Sequence, residues 1–99
     1  MDVQIEEDSA RIILEESIDL SNAEELKEEF MSVTEQGITD VTLDFNRVKK
    51  IDSSGLGKIL LFQKILREED GKLIIENVDS EYVREVFDMV HLDEVVEIR

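Results

Sequence analysis

The chain has 99 residues, with 11 Lys or Arg against 26 Asp or Glu, which gives a formal net charge of -15. This length suits one domain with one modest hydrophobic core, so we expect residues 1–99 to form a single domain. The strong acidity argues against direct binding of nucleic acid or of anionic lipid, because both present negative phosphates. It favours partner surfaces that are neutral or basic.

Several kinds of site are excluded by what the chain lacks. It has no cysteine, so it offers no disulfide framework, zinc–thiolate site or thiol nucleophile. Its first residues lack the basic start and apolar run of a signal peptide, and no apolar stretch approaches the ~18 residues of a membrane span. We therefore expect a cytoplasmic protein. The single histidine, His91, has no second ligand at metal-binding spacing, and neither a Walker-type loop nor a Gly-x-Ser-x-Gly elbow is present. No metal site, catalytic residue or cofactor is predicted.

Three helices are predicted from apolar residues that recur at spacings of three and four. Ser21-Asn22-Ala23-Glu24 has the pattern of a capping box, whose serine is the predicted N-cap. The apolar stripe that follows consists of Ala23, Leu26, Phe30 and Val33. The second helix is predicted from about Ser54 to Glu69, and the third from near Ser80. Gly37 and Gly71 follow the first two helical patterns, where a C-terminal cap favours a left-handed residue.

Strand patterns lie between the helices. Val3 and Ile5 alternate with polar residues, and the other predicted strands are Ile12-Ile13-Leu14, residues 41–45, Leu73-Ile74-Ile75 and residues 95–98. The order β-β-α-β-α-β-α-β predicts an α/β domain with a mixed, mostly parallel sheet of about five strands. Because residues 41–45 alternate, we expect the helices to pack mainly on one face, with Asp44 as a surface residue on the other.

The segment Ile51-Asp52-Ser53-Ser54-Gly55-Leu56-Gly57 leads into the second predicted helix. Backbone N–H groups at a helix N-terminus favour negative charge, so a phosphate on a serine here would be stabilised. The glycines would allow another chain to approach closely. From the residues alone, the simpler interpretation is an ordinary helix N-cap, with glycines that serve tight packing. Lys49 and Lys50, just before the segment, are expected in a solvated turn. The alternative, that they steady a phosphate at Ser54, is not favoured.

This segment resembles the signature of the STAS family, which includes the anti-sigma factor antagonists of bacteria. Other parts of the chain resemble the family in the same order: Ile18-Asp19 and Ala23-Glu24-Glu25-Leu26 upstream, then residues 71–75, residues 86–89 and Leu92 downstream. Glu16 and His91 depart from the pattern, since family members often carry glycine there. The resemblance implies a STAS-like fold over nearly the whole chain.

The resemblance also implies protein binding rather than catalysis. The unmodified protein would bind an anti-sigma factor that is also a serine kinase, and would thereby free a sigma factor. Phosphorylation of Ser54 would end this binding, and a serine phosphatase would restore it. The residues that the resemblance places on the partner-binding surface are Asp19, Asp52, Ser53, Ser54, Gly55, Leu56 and Gly57.

Other functions stay open at this stage. STAS domains also serve as subunits of transporters, including lipid transporters, and of stress-signalling complexes without sigma-factor partner switching. A small hydrolase with paired carboxylates is a third class, but no convergent acid–base pair is evident in the sequence. Exposed sheet edges are compatible with a monomer or a weak homodimer.

Overall fold

The computed structural model describes residues 1–99 and contains seven strands, three α-helices and one short 3-10 helix. The strands are β1 (Asp2–Glu6), β2 (Ser9–Ile13), β3 (Ser17–Ile18), β4 (Asp40–Asp44), β5 (Lys50–Ile51), β6 (Lys72–Glu76) and β7 (Glu97–Ile98). The helices are α1 (Ala23–Glu35), α2 (Ser53–Glu68) and α3 (Glu81–Met89), and the 3-10 helix is Leu92–Glu94. The three predicted helices are confirmed.

The main sheet has the strand order β1-β2-β4-β6-β7. β1 is antiparallel to β2 and every other neighbouring pair is parallel, which confirms a mixed, mostly parallel sheet of five strands. The last strand is shorter than predicted, because the N–H groups of Val95 and Val96 donate to the carbonyl of Leu92 in the 3-10 turn. A separate parallel pair, β3 with β5, has two residues in each strand and is too short to be predicted from periodicity.

Alternate residues of the central strands are buried beneath the helices. The buried ones are Ala10, Ile12, Val41, Leu43, Leu73 and Ile75. Arg11, Thr42 and Ile74, which alternate with them, are half-buried on the other face. Phe30 of α1 stacks on Phe62 of α2 with ring centroids 4.0 Å apart, so the two helices share one apolar core. The helices therefore cover one face, as the alternation of residues 41–45 predicted.

Asp44 is buried, with 8% of its surface exposed, so the expectation of a surface residue was wrong. Arg11 on the neighbouring strand donates to Asp44 Oδ2 at 2.9 Å and to Glu76 Oε1 at 2.5 Å. Asp44 Oδ1 accepts from the N–H of Asn46 at 2.9 Å and from the amide of Asn77 at 3.2 Å. Burial raises the pKa of Asp44, but these hydrogen bonds and the Arg11 charge outweigh burial and lower it below its ordinary value.

We expect Asp44→Asn to lower the free energy of unfolding at pH 7 by about 1–3 kcal/mol. The substitution removes the negative charge that Arg11, the Asn46 N–H and the Asn77 side-chain amide stabilise. The lowered folded-state pKa makes this contribution complete above the unfolded-state value of about 4. The contribution is lost as the pH falls further, through the folded-state pKa. Urea unfolding from pH 7 to pH 2 should show the difference from wild type shrinking below pH 4. Asp40→Asn, exposed on the same strand, is the control, and an equal effect there would contradict the prediction.

Two helix ends differ from those predicted from the sequence. The N-cap of α1 is Asn22, which makes no side-chain capping bond, so the capping box on Ser21 was wrong. Gly37 has the expected left-handed φ of 84° after α1. After α2 the left-handed residue is Asp70, with φ of 58°, rather than Gly71. Gly71 serves a close approach instead, because an added Cβ would lie 2.3 Å from the carbonyl oxygen of Thr39 on the neighbouring segment.

His91 is exposed in the short link between α3 and the 3-10 helix, and it has a left-handed φ of 55°. This conformation is strained for a residue with a Cβ, whereas glycine adopts it freely. We expect His91→Gly to raise the free energy of unfolding by about 0.5 kcal/mol, since strain relief exceeds the added entropy of the unfolded chain. Asp88→Gly, inside the exposed face of α3, should lower it by about 0.5–1 kcal/mol. Chemical unfolding of both variants checks this, and equal losses of stability would contradict it.

Candidate functional site

The short pair β3–β5 brings two distant loops to one edge of the molecule. Ile18 lies opposite Ile51, and the N–H of Asp52 donates to the carbonyl of Ile18 at 3.1 Å. Because the two strands are parallel, the residues that follow them emerge on the same side. Asp19 and Asp52 are those residues, so the fold brings together two segments that the resemblance assigned to a single surface.

Asp52 caps helix α2. Its Oδ1 accepts from the N–H of Ser54 at 2.8 Å and from the N–H of Gly55 at 3.2 Å. This local motif explains why the helix begins at Ser53, since the cap satisfies two N–H groups that have no partner within the helix. Ser53 is exposed and Ser54 is half-buried, and neither hydroxyl is engaged in a hydrogen bond with the rest of the chain.

The Asp19 carboxylate is fixed by its own loop. Its Oδ1 accepts from the hydroxyl of Ser21 at 2.5 Å and from the N–H of Ser21 at 2.9 Å, and its Oδ2 accepts from the hydroxyl of Ser17 at 3.0 Å. Asn22 secures the loop, because its amide donates to the carbonyl of Ser17 at 2.7 Å. These hydrogen bonds lower the pKa of Asp19 below its ordinary value, and those from Ser21 have a larger effect than the one from Ser17. The side chain therefore presents an oriented negative charge at neutral pH.

The two glycines of α2 have different surroundings. An added Cβ at Gly55 would lie 2.7 Å from Cγ2 of Ile18 and 2.8 Å from Cγ1 of Ile51, so this glycine lets α2 pack directly on β3 and β5. An added Cβ at Gly57 would meet nothing within 4 Å. Gly57 is exposed, and Leu56 beside it is half-buried. Gly55 thus has a packing role, whereas Gly57 leaves the surface next to Leu56 flat and open.

The structure adds residues that the sequence did not single out. Leu20, next to Asp19, is 80% exposed. Lys58 Nζ on α2 lies 2.9 Å from Glu24 Oε1 on α1, so an ion pair spans the two helices close to Ser54. Only the position of Leu20 in a polar loop could have drawn attention to it. The pairing of Lys58 with Glu24 depends on the packing of α1 against α2.

Other kinds of site have little support in this region. No group of three His, Cys, Asp or Glu side chains is arranged to hold a metal ion. The five main surface depressions are lined by residues other than Asp19 and the 52–57 segment. No helix of the chain combines the length and the apolar character that crossing a bilayer requires. Asp19 and the 52–57 segment thus lie outside these depressions.

Comparison with protein families matches the STAS domain over residues 1–99. The chain belongs to the STAS domain family. The resemblance drawn from the sequence is therefore confirmed, and the mixed sheet with three helices is the fold of this STAS domain.

Similar proteins agree on one functional class. The anti-sigma-B factor antagonist of Bacillus subtilis is 29% identical over 98 residues, covering 99% of this STAS domain and 88% of that protein. A crystal structure of a suggested anti-sigma factor antagonist from Thermotoga maritima has a TM-score of 0.90 at 23% identity, covering 98% of this chain and 83% of the other. The Bacillus protein SpoIIAA in its phosphorylated form has a TM-score of 0.77 at 24% identity, with 99% and 89% covered.

Proposed function

We propose that this STAS domain is an anti-sigma factor antagonist whose binding is switched off by phosphorylation of Ser54. In its unmodified form it would bind an anti-sigma factor that is also a serine kinase, and so free a sigma factor. The observation that carries the proposal is the joint surface of Asp19 and the capped serine turn, on a chain whose curated relative of similar length is an anti-sigma-B factor antagonist. The proposed partner-binding residues are Asp19, Asp52, Ser53, Ser54, Gly55, Leu56 and Gly57.

The modification requires an accessible hydroxyl. The Ser54 oxygen would attack the γ-phosphorus of ATP in the partner kinase, forming an O–P bond while the bond to the β–γ bridging oxygen breaks. ADP leaves, and the hydroxyl proton passes to a base of the kinase. The half-buried Ser54 hydroxyl has no internal hydrogen bond to lose. Ser53 is equally free and more exposed, so the assignment to Ser54 rests on the family motif rather than on exposure.

The same geometry supplies a reason for release. A phosphate adds about -1.5 to -2 charges at pH 7. It would stand beside the carboxylates of Asp52 and Asp19, on a chain whose net charge is already -15. A partner surface that fits a neutral hydroxyl would then have to accommodate a larger, strongly hydrated group. Because the phosphate would be added at the surface of a turn that Asp52 already caps, release needs no change of fold.

The remaining parts of the proposal follow from this role. The domain would act without catalysis of its own, and a serine phosphatase would regenerate the binding form. It would work in the cytoplasm, where sigma factors act, as a monomer or a weak homodimer. A lipid-transporter or stress-complex subunit is the outcome to consider if no anti-sigma factor is bound.

The test begins with the unmodified protein as bait in a native lysate, with bound proteins identified by mass spectrometry. The expected partner is an anti-sigma factor with serine kinase activity. That partner, once purified, should transfer radiolabelled phosphate from ATP to wild type and to Ser53→Ala, but not to Ser54→Ala. Adding the unmodified domain to the partner's complex with a sigma factor should release the sigma factor. Labelling of Ser53 instead, or a sigma factor that stays bound, would contradict the proposal.

A further inference from the structure

Lys58 lies one helical turn after Ser54 on α2, and its side chain also reaches Glu24 on α1. Its Nζ is 2.9 Å from Glu24 Oε1, and the Lys58 side chain is 21% exposed against 73% for Glu24. Residues four apart on a helix are surface neighbours, with Cβ atoms about 5–6 Å apart. A group added to Ser54 would therefore come within reach of the ammonium group that now binds Glu24.

We propose that Lys58 moves from the Glu24 carboxylate to the phosphate when Ser54 is phosphorylated. The inference rests on the proposed function only in requiring a phosphate at Ser54. A phosphate that carries almost two negative charges attracts an ammonium group more strongly than a single carboxylate does. The flexible lysine side chain can move to follow it. Because Glu24 is the more exposed member of the present pair, its carboxylate can return to water at little cost.

The other charged side chains around Ser54 are less suited to hold the phosphate. Asp19 and Asp52 are carboxylates and repel it. Lys49 lines a surface depression together with Glu15, Glu16, Asn46 and Arg47. Lys50 lies opposite Ser17 in the β3–β5 pair, on a strand outside the helix. Lys58 is the cation that the helical spacing places beside Ser54.

The exchange has a consequence for the surface rather than for the fold. The Phe30–Phe62 stack also holds α1 against α2, so the helices stay packed when Lys58 leaves Glu24. Glu24 then becomes an unpaired carboxylate at the edge of the partner-binding surface. Phosphorylation would thus change the charge of this surface at two places, Ser54 and Glu24.

The test uses protein in which phosphoserine is installed at position 54 during synthesis, so no kinase is needed. The second ionisation of the phosphate, with an ordinary pKa near 6, is followed by phosphorus NMR. Lys58 favours the dianion, so wild type should titrate roughly 0.3–0.7 pH unit below Lys58→Gln. The controls are Lys64→Gln, exposed on the same helix and farther from Ser54, and Lys50→Gln, which should both titrate like wild type.

A second readout is the Glu24 carboxyl, followed by carbon NMR. Hydrogen bonding from Lys58 and its charge now lower the pKa of Glu24 below its ordinary value. At pH 7.5, where the phosphate is a dianion, phosphorylation should move the carboxyl chemical shift of Glu24 to the value seen in Lys58→Gln, which lacks the ion pair. The proposal is overturned if Lys58→Gln titrates like Lys64→Gln, if Lys50→Gln gives the larger shift, or if Glu24 does not respond. Because the phosphate is installed synthetically, a failure of any kinase to modify Ser54 would overturn the proposed function and leave this result intact.

Discussion

Ser54→Asp is expected to weaken binding to the anti-sigma factor by at least about tenfold, which corresponds to 1.4 kcal/mol or more. The added carboxylate would lie beside Asp52 on the capped turn, where it meets like charge and must lose water on docking. Phosphoserine carries more charge and should weaken binding further. Ser54→Ala should bind within about threefold of wild type, because the hydroxyl makes no hydrogen bond within the chain. Isothermal titration with the purified partner measures these affinities.

Ser53→Asp is the matched control for this prediction. It adds the same charge one residue earlier, on the exposed side chain that begins the helix. If the effect depends on the position of Ser54 in the interface, Ser53→Asp should weaken binding less. A Ser54→Asp variant that binds like wild type would remove the electrostatic basis of the switch. If ATP and the kinase still dissociated the complex of the Ser54→Ala variant, phosphorylation of Ser54 would not be the switch.

Gly57→Ala and Gly55→Ala are expected to separate stability from binding. At Gly57 nothing lies within 4 Å of an added Cβ. Alanine there should raise the free energy of unfolding by about 0.5–1 kcal/mol, since glycine is the poorer helix former. The new methyl group would stand beside Leu56, on the proposed partner-binding surface. We therefore expect binding to fall about tenfold or more although the fold is more stable.

At Gly55 the same substitution should act on the fold. The added Cβ would collide with Ile18 and Ile51, which are 1% and 4% exposed and have little room to move. Overpacking of this kind costs about 1–3 kcal/mol. Thermal unfolding together with partner titration distinguishes the two variants. If Gly57→Ala bound the partner normally, the surface beside Leu56 would not be part of the interface. If it destabilised the protein as Gly55→Ala does, the assigned roles of the two glycines would be wrong.

The sequence of the motif predicted the capped helix but not the separate roles of Gly55 and Gly57. The spacing in Asp52–Gly57 predicted a capped helix with a serine at its start, and a capped helix is what forms. The sequence offered two uses for the glycines, tight packing and close approach of a partner. Only the positions of Ile18 and Ile51 assign the first use to Gly55, and only the empty space at Gly57 makes the second available there.

The local sequence determined the three helices, the apolar face of the sheet and the N-cap at Asp52. Each depends on residues within a few positions of one another, so spacing and side-chain type suffice. The tertiary structure decided the features that join distant segments. Asp44 is buried because Arg11, 33 residues away, and Asn77, also 33 residues away, satisfy its carboxylate. Asp19 meets the serine turn because two-residue strands pair across the chain. Such contacts produce no periodic pattern in the sequence, because their energy comes from partners that only folding brings together.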